Sequence, residues 1–248
     1  ATPAVGDLDN DGLPEVVVIN RLDERLFILN GEDGTTAFTY DLGYQPENGI
    51  VLANLDGGDC ANIYVSRDNS STITALDCEA NFLWQTNASD RVGIMGIADF
   101  NGDGNAELYY KTEIMDAATG NIIVAGTADN WVQKYAHSAI AVDILDDSFC
   151  ADCSGLELIT GNQIWAINIA AGTRTLAKDL NDLFAAEIPV NNKRYYTKYF
   201  NTNQNRTAIS VADYNQDGHV DVLMPGAYGS SNSSQTTIFF WDVFNDAY

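Results

Sequence analysis

Three stretches of this sequence set oxygen-bearing side chains at alternate positions ahead of a glycine. They are Asp7, Asp9 and Asp11 before Gly12, Asp99, Asn101 and Asp103 before Gly104, and Asp213, Asn215 and Asp217 before Gly218. Each closes on a carboxylate at its ninth position: Glu15, Glu107 and Asp221. A coiled loop turns positions 1, 3 and 5 onto one point, and glycine at position 6 permits the tight turn. The carbonyl of position 7 (Leu13, Asn105, His219) and the position 9 carboxylate extend that set. A hard divalent cation taking roughly six to eight oxygen ligands suits it, calcium above all. A helix-flanked calcium loop would need an acid at position 12, where Val18, Tyr110 and Met224 stand inside apolar runs. Three Ca2+ sites are therefore expected, carried by loops that lead into strands.

The loops recur at a period that defines the elements around them. Two eroded copies fill the gaps, Asn54–Asn62 with Gly58 at position 5 and Asn62 at position 9, and Asp143–Asp147 with Leu145 at position 3 and an insertion behind it. Starts at 7, 54, 99, 143 and 213 are spaced by 47, 45, 44 and 70 residues, the size of a four-stranded blade. Between loops the pattern is strand and turn, as in Arg25–Leu29, Asn30–Gly34 and Thr35–Tyr40, and again in Thr72–Leu76, Asp77–Asn81 and Phe82–Trp84. One such sheet cannot cover both its faces, so each must pack against its neighbours. The expected fold is all-β: a β-propeller, or part of one, of about five four-stranded blades. It reads as one domain over 1–248, with blades starting near 1, 48, 93, 137 and 207 and an insertion at 172–206. Apolar positions Leu176, Leu180, Leu183 and Phe184 predict a short amphipathic helix within that insertion.

The stretches Ala4–Gly12 and Ser210–Met224 resemble FG-GAP/VCBS repeats, strongly in three copies and loosely in two, from residue 1 to about 245. The resemblance implies an integrin-α-like propeller whose calcium loops join the first two strands of a blade. Its ligand positions fall on the residues already named from spacing. The Phe-Gly-Gly-Ala-Pro signature is missing, with Pro225–Gly229 standing nearest to it.

Charge and cysteines bound the function. A formal net charge of -23 disfavours nucleic acid and anionic membrane surfaces as partners and favours cations. No apolar run is long enough for a spanning helix, so membrane insertion is not expected. Cys60 and Cys78 flank a predicted hairpin and should pair, and Cys150 and Cys153 should close a small ring within the enlarged fourth loop. With Asn-x-Ser/Thr sequons at Asn69, Asn87, Asn205 and Asn232, the cysteines point to an extracellular or cell-surface protein. The sequence begins directly on a loop-bearing strand and ends just after Ile238–Phe244, consistent with a segment of a longer chain.

No nucleophile elbow, phosphate loop or paired-histidine motif occurs. His137 reads as structural. The basic, tyrosine-rich run Lys193, Arg194, Tyr195, Tyr196, Lys198 and Tyr199 is the one local departure from acidity, and Trp131 and Tyr135 add aromatic surface. These residues favour a non-catalytic binding, adhesion or scaffold module for an extracellular protein or glycan. The competing class is an enzyme, since some polysaccharide lyases resemble this calcium-rich propeller. A lyase would use the basic run to hold a uronate and take its proton.

Overall fold

The computed structural model describes residues 3–55, 59–67, 71–88, 94–126, 139–160, 163–179, 209–228 and 235–246. Among these residues there is no helix, and the strands form five antiparallel sheets in chain order. The first sheet holds β1 (Ala4–Gly6), β2 (Glu15–Asn20), β3 (Arg25–Leu29) and β4 (Thr36–Asp41). The second holds β5 (Pro46–Ala53), β6 (Asn62–Arg67), β7 (Thr72–Leu76) and β8 (Phe82–Asn87), and the third β9 (Gly96–Ala98), β10 (Glu107–Tyr110), β11 (Glu113–Asp116) and β12 (Ile122–Val124). The fourth holds β13 (Ala139–Val142), β14 (Glu157–Thr160), β15 (Gln163–Asn168) and β16 (Thr173–Asp179). The fifth holds β17 (Ser210–Ala212), β18 (Asp221–Tyr228) and β19 (Gln235–Trp241). Every strand pairs with its sequence neighbour, so each sheet is a meander.

The chain divides into two compact units, Ala1–Ala98 with Asp103–Gly126, and Asp99–Gly102 with Thr127–Tyr248. In the first, the alternation of β6 explains the packing. Ile63 and Val65 turn toward Val17, Leu26 and Ile28 of the first sheet. Tyr64, between them, turns the other way, toward Leu108, Tyr110 and Met115 of the third. Strand β6 is thus buried on both faces, which is why Ile63, Tyr64 and Val65 are apolar at three consecutive positions. Each fully buried Ile or Val there contributes about 1.5–3 kcal/mol. β1 adjoins β5, and β5 adjoins β9, so the first strands of successive sheets are neighbours. In the second unit Ile159, Ile164 and Ala166 of the fourth sheet pack with Val222 and Trp241 of the fifth. The outer strands β4 and β8 stay largely exposed.

The helix expected from Leu176 onward is corrected in its described part. Residues 173–179 are strand β16, hydrogen-bonded to β15, with a register shift at Ile164/Trp165 that absorbs one extra residue. Thr173 and Thr175 are β-branched and favour the extended pairing. Residues 180–186 lie outside the described residues.

Candidate cation-binding loops

Each of the three intact motifs connects the first and second strands of its sheet: 7–14 joins β1 to β2, 99–106 joins β9 to β10, and 213–220 joins β17 to β18. The backbone of all three coils alike. The glycine at position 6 is left-handed, with φ of 91° at Gly12, 89° at Gly104 and 92° at Gly218. Position 4 is left-handed too, at Asn10 (59°), Gly102 (69°) and Gln216 (61°), a second constraint that residue type alone did not reveal.

The side chains then repeat one hydrogen-bond pattern. In the first loop the N–H of Asp11 donates to Asp7 Oδ1 at 3.1 Å, Gly12 N–H to Asp7 Oδ2 at 2.9 Å, and Leu13 N–H to Asp11 Oδ1 at 2.8 Å. In the fifth sheet's loop Asp217, Gly218 and His219 donate to Asp213 Oδ1, Asp213 Oδ2 and Asp217 Oδ1 at 3.1, 2.9 and 2.9 Å. In the third sheet's loop Asn105 N–H donates to Asp103 Oδ1 at 2.8 Å, the same bond. In the first and fifth sheets position 1 thus holds the turn together from inside, a charge-assisted arrangement.

The ninth position does the rest. Glu15 Oε2 accepts the Leu8 N–H at 2.8 Å, and carboxylate oxygens of Asp7, Asp9 and Glu15 all lie within 4.8 Å of one another. Asp221 Oδ2 accepts N–H groups of Tyr214 at 3.0 Å and Asn215 at 3.4 Å. Its Oδ1 is buried with no hydrogen-bond partner, and the side chain is 0% exposed. Burial pushes the Asp221 carboxyl up, the two N–H groups oppose this, and the charges of Asp242 and Asp217 raise it further. An orphaned carboxylate oxygen and mutually repelling acids are groups that a bound cation would satisfy, so the donor set fits calcium.

Asp242, directly after β19, was not legible as part of this loop. Its Oδ2 accepts from Asn215 Nδ2 at 3.3 Å and from Asn245 Nδ2 at 2.8 Å. Only the sheet pairing of β18 with β19 brings it there.

The eroded loops are held differently. In the second sheet Cys60, at loop position 7, is disulfide-bonded to Cys78 across a Cα–Cα distance of 5.3 Å. That loop leans on the first: Ala61 N–H donates to the Leu8 carbonyl at 2.8 Å, and Asn10 Nδ2 to Asp59 Oδ1 at 3.2 Å. In the fourth sheet Cys150 is bonded to Cys153. Both expected disulfides are present, which removes all four thiols from metal binding. The two loops that lost ligand positions are the two that carry disulfides. Beside the fourth loop, an open cleft of about 480 Å³ is lined by Asp143, Asp146, Asp147, Gly218, His219 and Phe244 among others. His219 lies flat on Phe244, centroids 3.7 Å apart and planes within 4°.

Of the other expected site residues, Trp131, Tyr135, His137, Lys193, Arg194, Tyr195, Tyr196, Lys198 and Tyr199 lie outside the described residues. No helix among the described residues is long and apolar enough to cross a membrane.

By sequence, the chain matches no family model and no curated relative. By structure it is similar to the V. cholerae biofilm matrix protein Bap1, at a TM-score of 0.60 and 19% identity over 96% of this chain. It is also similar to the exotype rhamnogalacturonan lyase YesX, at a TM-score of 0.55 and 15% identity over 96% of this chain. The chain spans 37% and 44% of the length of those two structures. At these identities the likeness is one of fold.

Proposed function

We propose that the five sheets are blades of a β-propeller, or of a large part of one, whose first-to-second strand loops bind structural calcium. The protein is read as an extracellular or cell-surface module that binds protein or glycan without catalysis. The observation that carries the calcium reading is the position 9 carboxylate. In the first sheet it accepts the Leu8 N–H and is grouped with Asp7 and Asp9, and in the fifth it accepts the Tyr214 N–H through one oxygen while the other is buried without a partner. Calcium would order loops whose acids otherwise repel, and would leave the exposed faces rigid enough to present a binding surface. The fold likeness to a matrix protein and the two disulfides support the extracellular assignment.

A second reading follows from the fold likeness to a rhamnogalacturonan lyase: the chain is the propeller part of a calcium-dependent polysaccharide-degrading enzyme. One experiment addresses both. The chain, with calcium or with EGTA, is mixed with acidic polysaccharides, and both co-sedimentation and the absorbance of unsaturated product are followed. Calcium-dependent binding without product supports the module, and product formation supports the lyase. A thermal midpoint that EGTA leaves unchanged would sink the calcium assignment.

A further inference from the structure

Four of the five sheets have a fourth, outer strand, and each of those strands carries the same irregularity. Phe38 pairs with Ile28 and Thr36 with Leu29, so Ala37 of β4 has no residue opposite it in β3. Leu83 of β8, Ile123 of β12 and Ala177 of β16 are skipped in the same way. A one-residue bulge bends the strand, sharpens its twist and breaks the even row of N–H and C=O groups that a further strand would need. The bulges stand where an open edge is most adhesive, because Phe38, Phe82, Leu83, Ile122 and Leu176 are exposed apolar residues of these same strands. The fifth sheet differs. Its outermost strand among the described residues is β19, which pairs with β18 at every position from Gln235 to Trp241 without a shift. Gln235-Thr-Thr-Ile-Phe-Phe-Trp241 contains no charged residue and no proline, in a chain whose formal net charge is -23. After Gln235 every residue is β-branched or aromatic, the composition that favours strand pairing.

We infer that the outer edge of β19 is a self-association surface, at which a second copy of this chain adds its own β19. A two-fold axis beside the strand sets the copies antiparallel, and a single sheet then runs through β17, β18 and β19 of one protomer and on into its partner. An antiparallel strand is complementary to itself, residue i meeting j as j meets i, so no second sequence is needed. Charge selects this edge over the rest of the surface. Two chains of net charge -23 repel wherever carboxylates meet, and a strand without ionised side chains is where two backbones approach to the ladder spacing of about 4.8 Å at least electrostatic cost. The same reasoning fixes the salt dependence: the dimer strengthens as salt screens the repulsion that remains. The four bulged edges do not compete for this role. The inference goes beyond the binding-module reading and does not depend on calcium.

Sedimentation equilibrium over a range of protein concentrations, at low and high salt, gives the mass, and hydrogen–deuterium exchange at both ends of that range gives the surface. The expected result is a mass that doubles with concentration, at lower concentration in high salt. As the dimer forms, amides of Gln235–Trp241 should exchange more slowly, while those of β4, β8 and β16 stay unchanged. Adjacent N–H groups of a strand point to opposite edges, so of Thr236→Pro and Thr237→Pro one places its proline on the outer edge and spares the pairing with β18. The variant that keeps the wild-type far-ultraviolet circular dichroism should stay monomeric where the wild type is dimeric. If neither variant folds, exchange in the wild type decides. A chain that is monomeric throughout overturns the inference, and slow exchange of β19 in that monomer would show that the edge is filled from within the chain. A dimer that forms without protecting β19 overturns it as well.

Discussion

The Asp221 carboxylate accepts the Tyr214 N–H through Oδ2 at 3.0 Å and buries Oδ1 with no partner. Without a cation that oxygen is a cost, because a buried acceptor left unmade loses about 1–3 kcal/mol. Asp221→Asn keeps the shape and removes the charge. In saturating calcium the variant should melt well below the wild type, by the equivalent of about 2–3 kcal/mol if the wild-type loop is filled at a hundred times its dissociation constant. In EGTA the gap should close or reverse. Differential scanning calorimetry in both conditions decides it, and an equal deficit with and without calcium would assign Asp221 a purely structural role.

Gly12, Gly104 and Gly218 face open space, with nothing near a would-be Cβ, yet all three sit near φ of 90°. The penalty for a side chain there comes from the backbone alone. Gly12→Ala should cost about 1–2 kcal/mol in urea denaturation. Gly49, which also meets nothing within 4 Å and has no positive φ, is the control. Gly49→Ala should stay within about 0.5 kcal/mol. Equal effects at both positions would contradict the strain argument.

These features differ in how far residue order reveals them. The coiled turns of the three intact motifs were legible because their acidic and glycine positions are contiguous and their strands follow at once, so spacing alone encodes the backbone geometry. Asp242 was not, because it arrives from β19 by sheet pairing. The start of the predicted helix failed for a different reason. Leu176 fits a helical spacing, but its neighbours Thr173 and Thr175 pair with Asn168 and Ala166 of β15, and sheet hydrogen bonds override a weak local period.

The Cys60–Cys78 bridge closes a segment with a sequence separation of 18 in the loop that lacks two ligand positions. Replacing both cysteines by serine should cost about 3 kcal/mol, the chain-entropy value for a ring of this size. Because Ala61 and Asp59 also bond to Leu8 and Asn10, calcium binding in the first loop should weaken with it. Urea midpoints with and without calcium test both halves. A loss confined to the calcium-free protein would show that the metal in the first loop compensates for the missing bridge.

Tyr44 and Tyr64 set the alkaline limit of the first unit. Burial pushes both phenols up to about 12, against a hydrogen bond from Thr74 to the first and from Asn62 to the second. The Tyr64 hydroxyl also donates to the Ala117 carbonyl at 2.9 Å, tying the second sheet to the turn after β11. A phenol whose value is raised on folding contributes stability that is fully present below its ordinary value near 10 and is lost as pH climbs toward 12. Phenolate absorbance and far-ultraviolet circular dichroism should therefore show a late ionisation phase that coincides with loss of the sheet signal and includes Tyr44 and Tyr64. In Tyr44→Phe that late phase should shrink by one phenol, and the midpoint of alkaline unfolding should move upward provided the Thr74 hydroxyl finds water. If all the tyrosines titrate near 10 while the dichroism stays native, the buried placement of both rings is wrong.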